Sequence, residues 1–149
     1  MTSDVPLSTT LPGTWLLESR IDVTASGERR VEPSLGEDPV ALLIYDRSGH
    51  FAAQFMKRDR SVVVSEDVIG ATNNTRAQAG YDAYFGTYTV DDTASTVTQR
   101  LLGSLSPENV DSVLTREMHV RGDELVIRLH TSAADAVAVA RTLRWRRVG

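Results

Sequence analysis

The sequence predicts an all-β domain: an antiparallel up-and-down β-barrel of about eight strands with one short helix and an internal cavity. Three observations lead there. Apolar and polar residues alternate with a period of two in segment after segment. Turns rich in Gly, Asp, Asn and Ser separate the segments, and almost no stretch carries a helical period. A meander of that many strands would leave two open edges, and closure into a barrel removes them, with an open sandwich as the alternative. The 149 residues suffice for one such domain, placed at residues 13–149.

Residues 1–12 are short, polar and Pro-containing and read as a flexible lead-in. From Gly13 onward Trp15, Leu17, Ser19, Ile21 and Val23 alternate with Leu16, Glu18, Arg20 and Asp22, which describes a half-buried strand ended by Ala25-Ser26-Gly27. A loop of turn formers from Pro33 to Pro39 leads to the apolar run Val40 to Tyr45. Asp46-Arg47-Ser48-Gly49 turns the chain, and Phe51 to Met56 returns, so these runs form a hairpin. Lys57 to Gly80 is the least strand-like stretch. Val62-Val63-Val64 could make a short edge segment there, and the one short helix is expected from about Thr75 to Tyr81, capped by Thr72 or a neighbouring Asn. Strands follow at Tyr84 to Val90, Thr96 to Leu105, Val113 to Val120, Glu124 to His130 and from about Val139 to Val148. Asp91 to Ser95, Ser106-Pro107-Glu108-Asn109 and Arg121-Gly122-Asp123 supply the breaks between them.

If the apolar side of each strand faces inward, alternation also sorts the polar residues. The inward sets are Tyr84, Gly86, Tyr88 and Val90; Val97, Gln99, Leu101, Gly103 and Leu105; Leu114, Arg116, Met118 and Val120; Leu125, Ile127 and Leu129; and Leu143, Trp145 and Arg147. Ser19, Tyr84, Tyr88, Gln99, Arg116 and Arg147 are the polar intruders. An arginine inside a barrel needs a carboxylate, a hydrogen-bond network, water or a ligand, so Arg116 either pairs with Glu18 or Glu117 or meets a ligand. In the hairpin the two faces are about equally apolar, which leaves both Phe55 and Gln54 as cavity candidates. The cluster Arg141, Arg144, Arg146 and Arg147 reads chiefly as a solvated face.

Composition excludes several chemistries. The chain has no cysteine, hence no disulfide, thiolate nucleophile or Cys-bound metal. His50, His119 and His130 lie on three different elements without ligand spacing, so no metal site is expected. No Gly-rich phosphate loop, Gly-x-Ser-x-Gly elbow or pair of inward carboxylates is present, and no cofactor is expected. A formal charge of −4 argues against nucleic acid or anionic lipid as partners, both of which need a basic footprint. No run approaches the roughly 20 apolar residues that span a bilayer, and no basic, then apolar, leader opens the chain, so a cytosolic location is expected. A homodimer is left open.

Gly13-Thr14-Trp15 resembles the Gly-x-Trp opening of lipocalins, and Trp145-Arg146-Arg147 supplies an arginine near the end of the last strand. That resemblance implies an arginine packed across Trp15 at the barrel's base, either Arg147 or Arg146, with alternation favouring Arg147. More broadly the chain resembles the bacterial and fungal lipocalin-like domain family. The matching stretches run in order through Gly13 to Leu17, Leu43-Ile44-Tyr45 with Gly49, Ala83 to Asp91, Thr96-Val97-Thr98, Gly103 to Asn109, Arg116, Gly122 to Leu125, and Leu143-x-Trp145-x-Arg147. Family members often carry His after Thr-Val-Thr, where this chain has Gln99, so a proton-transfer role does not carry over. The resemblance implies a small barrel with an internal pocket and an association with specialised metabolism.

Two functional classes follow. The first is a cofactor-independent cyclase or isomerase, of pericyclase type, that folds a polyketide- or terpenoid-like intermediate, with Arg116, Tyr88, Gln99 and Tyr84 polarising a carbonyl. Trp145, Met118, Leu101, Leu114, Ile127, Phe55 and Gln54 would form the wall that holds this substrate. The second is a carrier that binds a small hydrophobic molecule in the same cavity without transforming it. A cavity below about 300 Å³ would be too small for a drug-sized ligand and would favour a filled, structural barrel.

Overall fold

The structure, a computed structural model, describes residues 5–60, 77–133 and 135–149. One helical turn, α1 (Leu7–Thr10), precedes nine strands: β1 (Gly13–Thr24), β2 (Arg29–Arg30), β3 (Val40–Tyr45), β4 (His50–Met56), β5 (Tyr81–Asp91), β6 (Thr96–Ser104), β7 (Val113–Arg121), β8 (Glu124–Ser132) and β9 (Ala138–Arg147). Strands β3 to β9 pair antiparallel in sequence order, and β1 joins both β3 and β9, which closes an eight-stranded barrel. The two-residue β2 is an extra strand on the far end of β1.

β1 can serve two partners because it is long. Gly13 to Leu16 pair with β3, and Trp15 to Thr24 pair with β9. Where the two pairings overlap, the base is sealed as the resemblance implied, by Arg147. Its guanidinium lies 4.3 Å from the Trp15 ring centre and donates to the carbonyls of Pro12, at 3.0 Å, and Thr10. Arg146 instead faces outward beside Glu18 at 3.6 Å. Gly13 is required by this approach, since a Cβ there would sit 2.4 Å from Arg147 Nη1.

Among the described residues the helical turns, α1 and a 3-10 turn at Pro107–Asn109, lie elsewhere than the expected helix. Residues 62–64, 75 and 76 fall outside the described residues, but Ala77 to Tyr81 form a tight turn in which Gln78 and Tyr81 exchange backbone hydrogen bonds of 2.7 and 3.0 Å. Ala79 and Gly80 both have positive φ, 52° and 77°, the pattern of a hairpin turn rather than a helix. The α-helical turn is α1, in a segment without sequence period. It docks because Leu7 and Leu11 are buried, Leu11 accepts from Trp15 Nε1 at 3.0 Å, and Asp92 takes bonds from Ser8 N and Oγ at 2.8 and 2.7 Å.

In the β3–β4 hairpin Ala41, Leu43, Tyr45, Phe51, Ala53 and Phe55 face inward. Gln54 lies on the outer face, where it accepts a hydrogen bond from the Tyr81 hydroxyl. The outer wall has two characters. On β7 to β9 it is charged and paired, across strands as in Glu117 with Arg128 and Glu124 with Arg144, and along β7 as in Glu117 with His119. On β3 to β6 it carries the exposed apolar side chains Leu42, Ile44, Phe85 and Leu102.

The β5–β6 register shifts between Phe85 and Gly86, and a Cβ on Gly86 would meet Arg100 O at 1.8 Å. Gly86→Ala is therefore expected to destabilise the fold by about 3 kcal/mol, the upper end of overpacking costs, read as a lower urea midpoint. A loss under about 1 kcal/mol would mean that the backbone of β6 yields to the methyl group.

Candidate functional site

The site begins with an irregularity in β1. Its register against β9 shifts between Leu17 and Ser19, with Glu18 as the exposed extra residue. A bulge of this kind moves every later side chain to the opposite face. Trp15 and Leu17 point inward before it; Arg20, Asp22 and Thr24 do so after it. Ser19, expected inside, is displaced from the inner set.

The shift places Asp22 directly opposite Arg141 on β9. The two make a bidentate pair, Nε to Oδ1 at 2.7 Å and Nη2 to Oδ2 at 2.9 Å, with side-chain exposures of 2% and 6% for the arginine and the aspartate. Arg141 thus lies buried, not on the solvated face read from the sequence, even though it shares parity with Leu143 and Trp145. Beside it Arg20 reaches Glu32 at 3.3 Å. Glu32 also accepts from Ser34 N at 2.7 Å, Ser34 Oγ at 2.5 Å and Leu35 N at 3.2 Å, which ties the loop after β2 over this end of the barrel.

These charges feel one another. Burial pushes the Arg20 guanidinium down to about 10, and the charge of Arg141 adds to the fall against Glu32 and Asp22. Burial also lowers Arg116, with Arg141 acting in the same direction and Tyr84 and Tyr45 against it. Burial raises the Glu32 carboxyl, but Arg20 and the Ser34 bonds outweigh it and hold the group below its ordinary value.

Behind the charged end lies a cavity of about 50 Å³. Of the residues expected in its wall, the structure brings together Arg116, Gln99, Tyr84, Trp145, Met118, Phe55 and Ile127. Tyr88 is not among them: its hydroxyl donates to the Asp46 carbonyl at 2.6 Å, at the base where β3 turns into β4. Leu101 is fully buried and Leu114 packs on the core, both outside the cavity wall, as is the outward Gln54. The wall also contains Tyr45, Arg20, Glu32, Ser34, Asp82 and Arg141, which sequence reasoning missed.

Tyr45 completes the polar wall. Gln99 Nε2 donates to its hydroxyl, which lies 3.8 Å from Met118 Sδ. Burial, reinforced by Tyr84 and Tyr88, raises this phenol well above its usual range, so it stays protonated. Arg116, 6% exposed, donates to Thr115 O at 3.3 Å. The alternatives for it in the sequence have other partners, since Glu18 meets Arg146 and Glu117 meets His119 and Arg128. Among the described residues no group of three or more His, Asp or Glu side chains is arranged to hold a metal, and no helix is long and apolar enough to cross a membrane.

Fold and site together define a closed β-barrel with a partly polar interior chamber. The chain belongs to the lipocalin-like domain family, whose model matches residues 12–148. No curated protein matches it.

Removing one member of a buried ion pair strands the other, whereas removing both does not. Arg141→Met is expected to cost about 3–5 kcal/mol, and adding Asp22→Leu should restore most of that in urea unfolding; equal losses in the single and double variants would contradict the pairing. The pH dependence follows from Glu32. Because its folded pKa is depressed, its contribution is present above the ordinary value of 4.5 and is lost as pH falls through the lower folded value. Ser34→Ala should therefore flatten the acid limb of stability against pH, measured by unfolding at a series of pH values.

Proposed function

We propose that the barrel binds a small, mostly apolar organic molecule in its interior. The observation that supports this most is the mixed chemistry of the cavity wall. Leu43, Phe55, Met118, Ile127 and Trp145 supply apolar surface, while Gln99, Tyr84 and Arg116 bring hydrogen-bonding groups to the same space. Burying such groups costs free energy that a barrel packed only for stability avoids by using apolar side chains. The volume of about 50 Å³ lies under the roughly 300 Å³ of drug-sized sites, which counts toward the filled, structural barrel and confines the binding reading to a compact ligand. A cytosolic setting belongs to the same proposal and rests on the sequence.

The finer reading is a cofactor-independent cyclase or isomerase. Gln99, Tyr84 and Arg116 are donors that could polarise a carbonyl as negative charge develops on it, and Asp22 and Glu32 are held in ion pairs. Electrophilic activation suits this wall better than base catalysis. The volume counts against a polyketide- or terpenoid-sized substrate, so binding takes precedence over turnover.

Calorimetric titration with hexan-2-one and hexan-1-ol tests the reading. Saturable binding is expected, weakened about tenfold by Gln99→Leu, the loss of one hydrogen bond of about 1.4 kcal/mol, and unchanged by Tyr88→Phe. Absence of saturable binding to either probe would give the filled, structural barrel instead.

A further inference from the structure

Among the described residues, two buried donors on β9 have no acceptor. Arg141 has five N–H groups; Asp22 engages Nε and Nη2, and Nη1 has no hydrogen-bond partner. Four residues on, Trp145 Nε1 is likewise buried and without a partner, in contrast to Trp15, whose indole is bonded to Leu11. Both side chains belong to the cavity wall, with Leu143 between them. A buried donor left unmade costs about 1–3 kcal/mol, and two on one strand, both on residues that line one chamber, match a molecule with two acceptor oxygens.

The charge around Arg141 indicates what kind of oxygen belongs at that end. Its positive charge opposes those of Arg20 and Arg116. The nearby carboxylates are committed: Asp22 uses both oxygens on Arg141, and Glu32 is shared among Arg20, Ser34 and Leu35. Asp82, also in the wall, has interactions of its own. An anionic oxygen would accept from Nη1 in a charge-assisted bond, shorter and stronger than the bond a neutral oxygen makes.

We infer that the ligand of this cavity is an organic acid with a second oxygen along its chain, its carboxylate at Arg141 Nη1 and that second oxygen at Trp145 Nε1. The inference rests on the binding reading above and specifies its ligand class. It assigns to Arg141 a role in binding besides its structural pair with Asp22.

Calorimetry with 5-oxohexanoate, hexanoate and hexan-1-ol tests it on the unmodified protein. The expected order is oxo acid, then acid, then alcohol, with the acid about tenfold tighter than the alcohol, the ratio a charge-assisted bond gives. In the double variant Asp22→Asn with Arg141→Gln, which removes both charges together, the preference for acid over alcohol should fall to about one. Trp145→Phe should remove the advantage of the oxo acid over hexanoate. Alcohol binding as tightly as acid overturns the inference while the binding reading stands, and so does an acid preference that survives the double variant. Binding of none of the three probes overturns both. The comparison among probes on the unmodified protein decides the matter even where a variant fails to fold.

Discussion

One extra residue in β1, Glu18, governs what the inside of this barrel contains. Without the bulge, strict alternation would carry the inward set from Trp15 and Leu17 on to Ser19, Ile21 and Val23, one hydroxyl and two aliphatic side chains with no charge among them. With it, Arg20 and Asp22 turn inward, and Arg141 on the neighbouring strand gains a carboxylate directly across the ladder. The loop after β2 depends on the same event, because Glu32 is held down by Arg20. A single backbone irregularity thus adds Arg20 and Asp22 to an interior that already holds Gln99, Arg116 and Arg141.

Buried ion pairs of this kind give little net stability, since desolvation offsets most of the attraction. Their value here is positional. The bidentate geometry fixes the Arg141 guanidinium plane, which leaves Nη1 in one place instead of sweeping through rotamers. Packing performs the same service for Gln99, clamped onto Tyr45, and for Tyr45, whose ring meets Phe51 and Tyr88. The polar groups around the chamber are therefore held before any molecule arrives, the condition under which a few hydrogen bonds discriminate well.

The strands were legible because a two-residue period survives in each, and the base was legible because Gly13, Trp15 and Arg147 are a local pattern with a geometric meaning. Gln99, Arg116, Met118 and Trp145 were also legible, since their strands run regularly through those positions. The misses have separate physical causes. Arg20 and Asp22 lie beyond a bulge, which alternation does not register. Arg141 has the parity of Leu143 and Trp145, but its place in an arginine-rich run masked it. Tyr88, Leu101 and Leu114 do not form the cavity wall for a further reason: alternation tells which face a residue occupies and nothing about how far along the barrel it lies. Gln54 was open because both faces of its hairpin are apolar, and Ala79-Gly80 concealed a turn within helix-compatible residues.

The seam between β1 and β9 joins residues far apart in sequence; Asp22 and Arg141 are separated by 119 positions. Contacts of that span are slow to form, because a long loop must close before any of its energy is recovered. During synthesis, β1 emerges long before the strand that completes it. Until β9 is available, Asp22 faces no guanidinium, Trp15 has no cation above it, and β1 has no partner along most of its length. The polar chamber is thus assembled only when β9 joins β1, and its completion coincides with closure of the barrel.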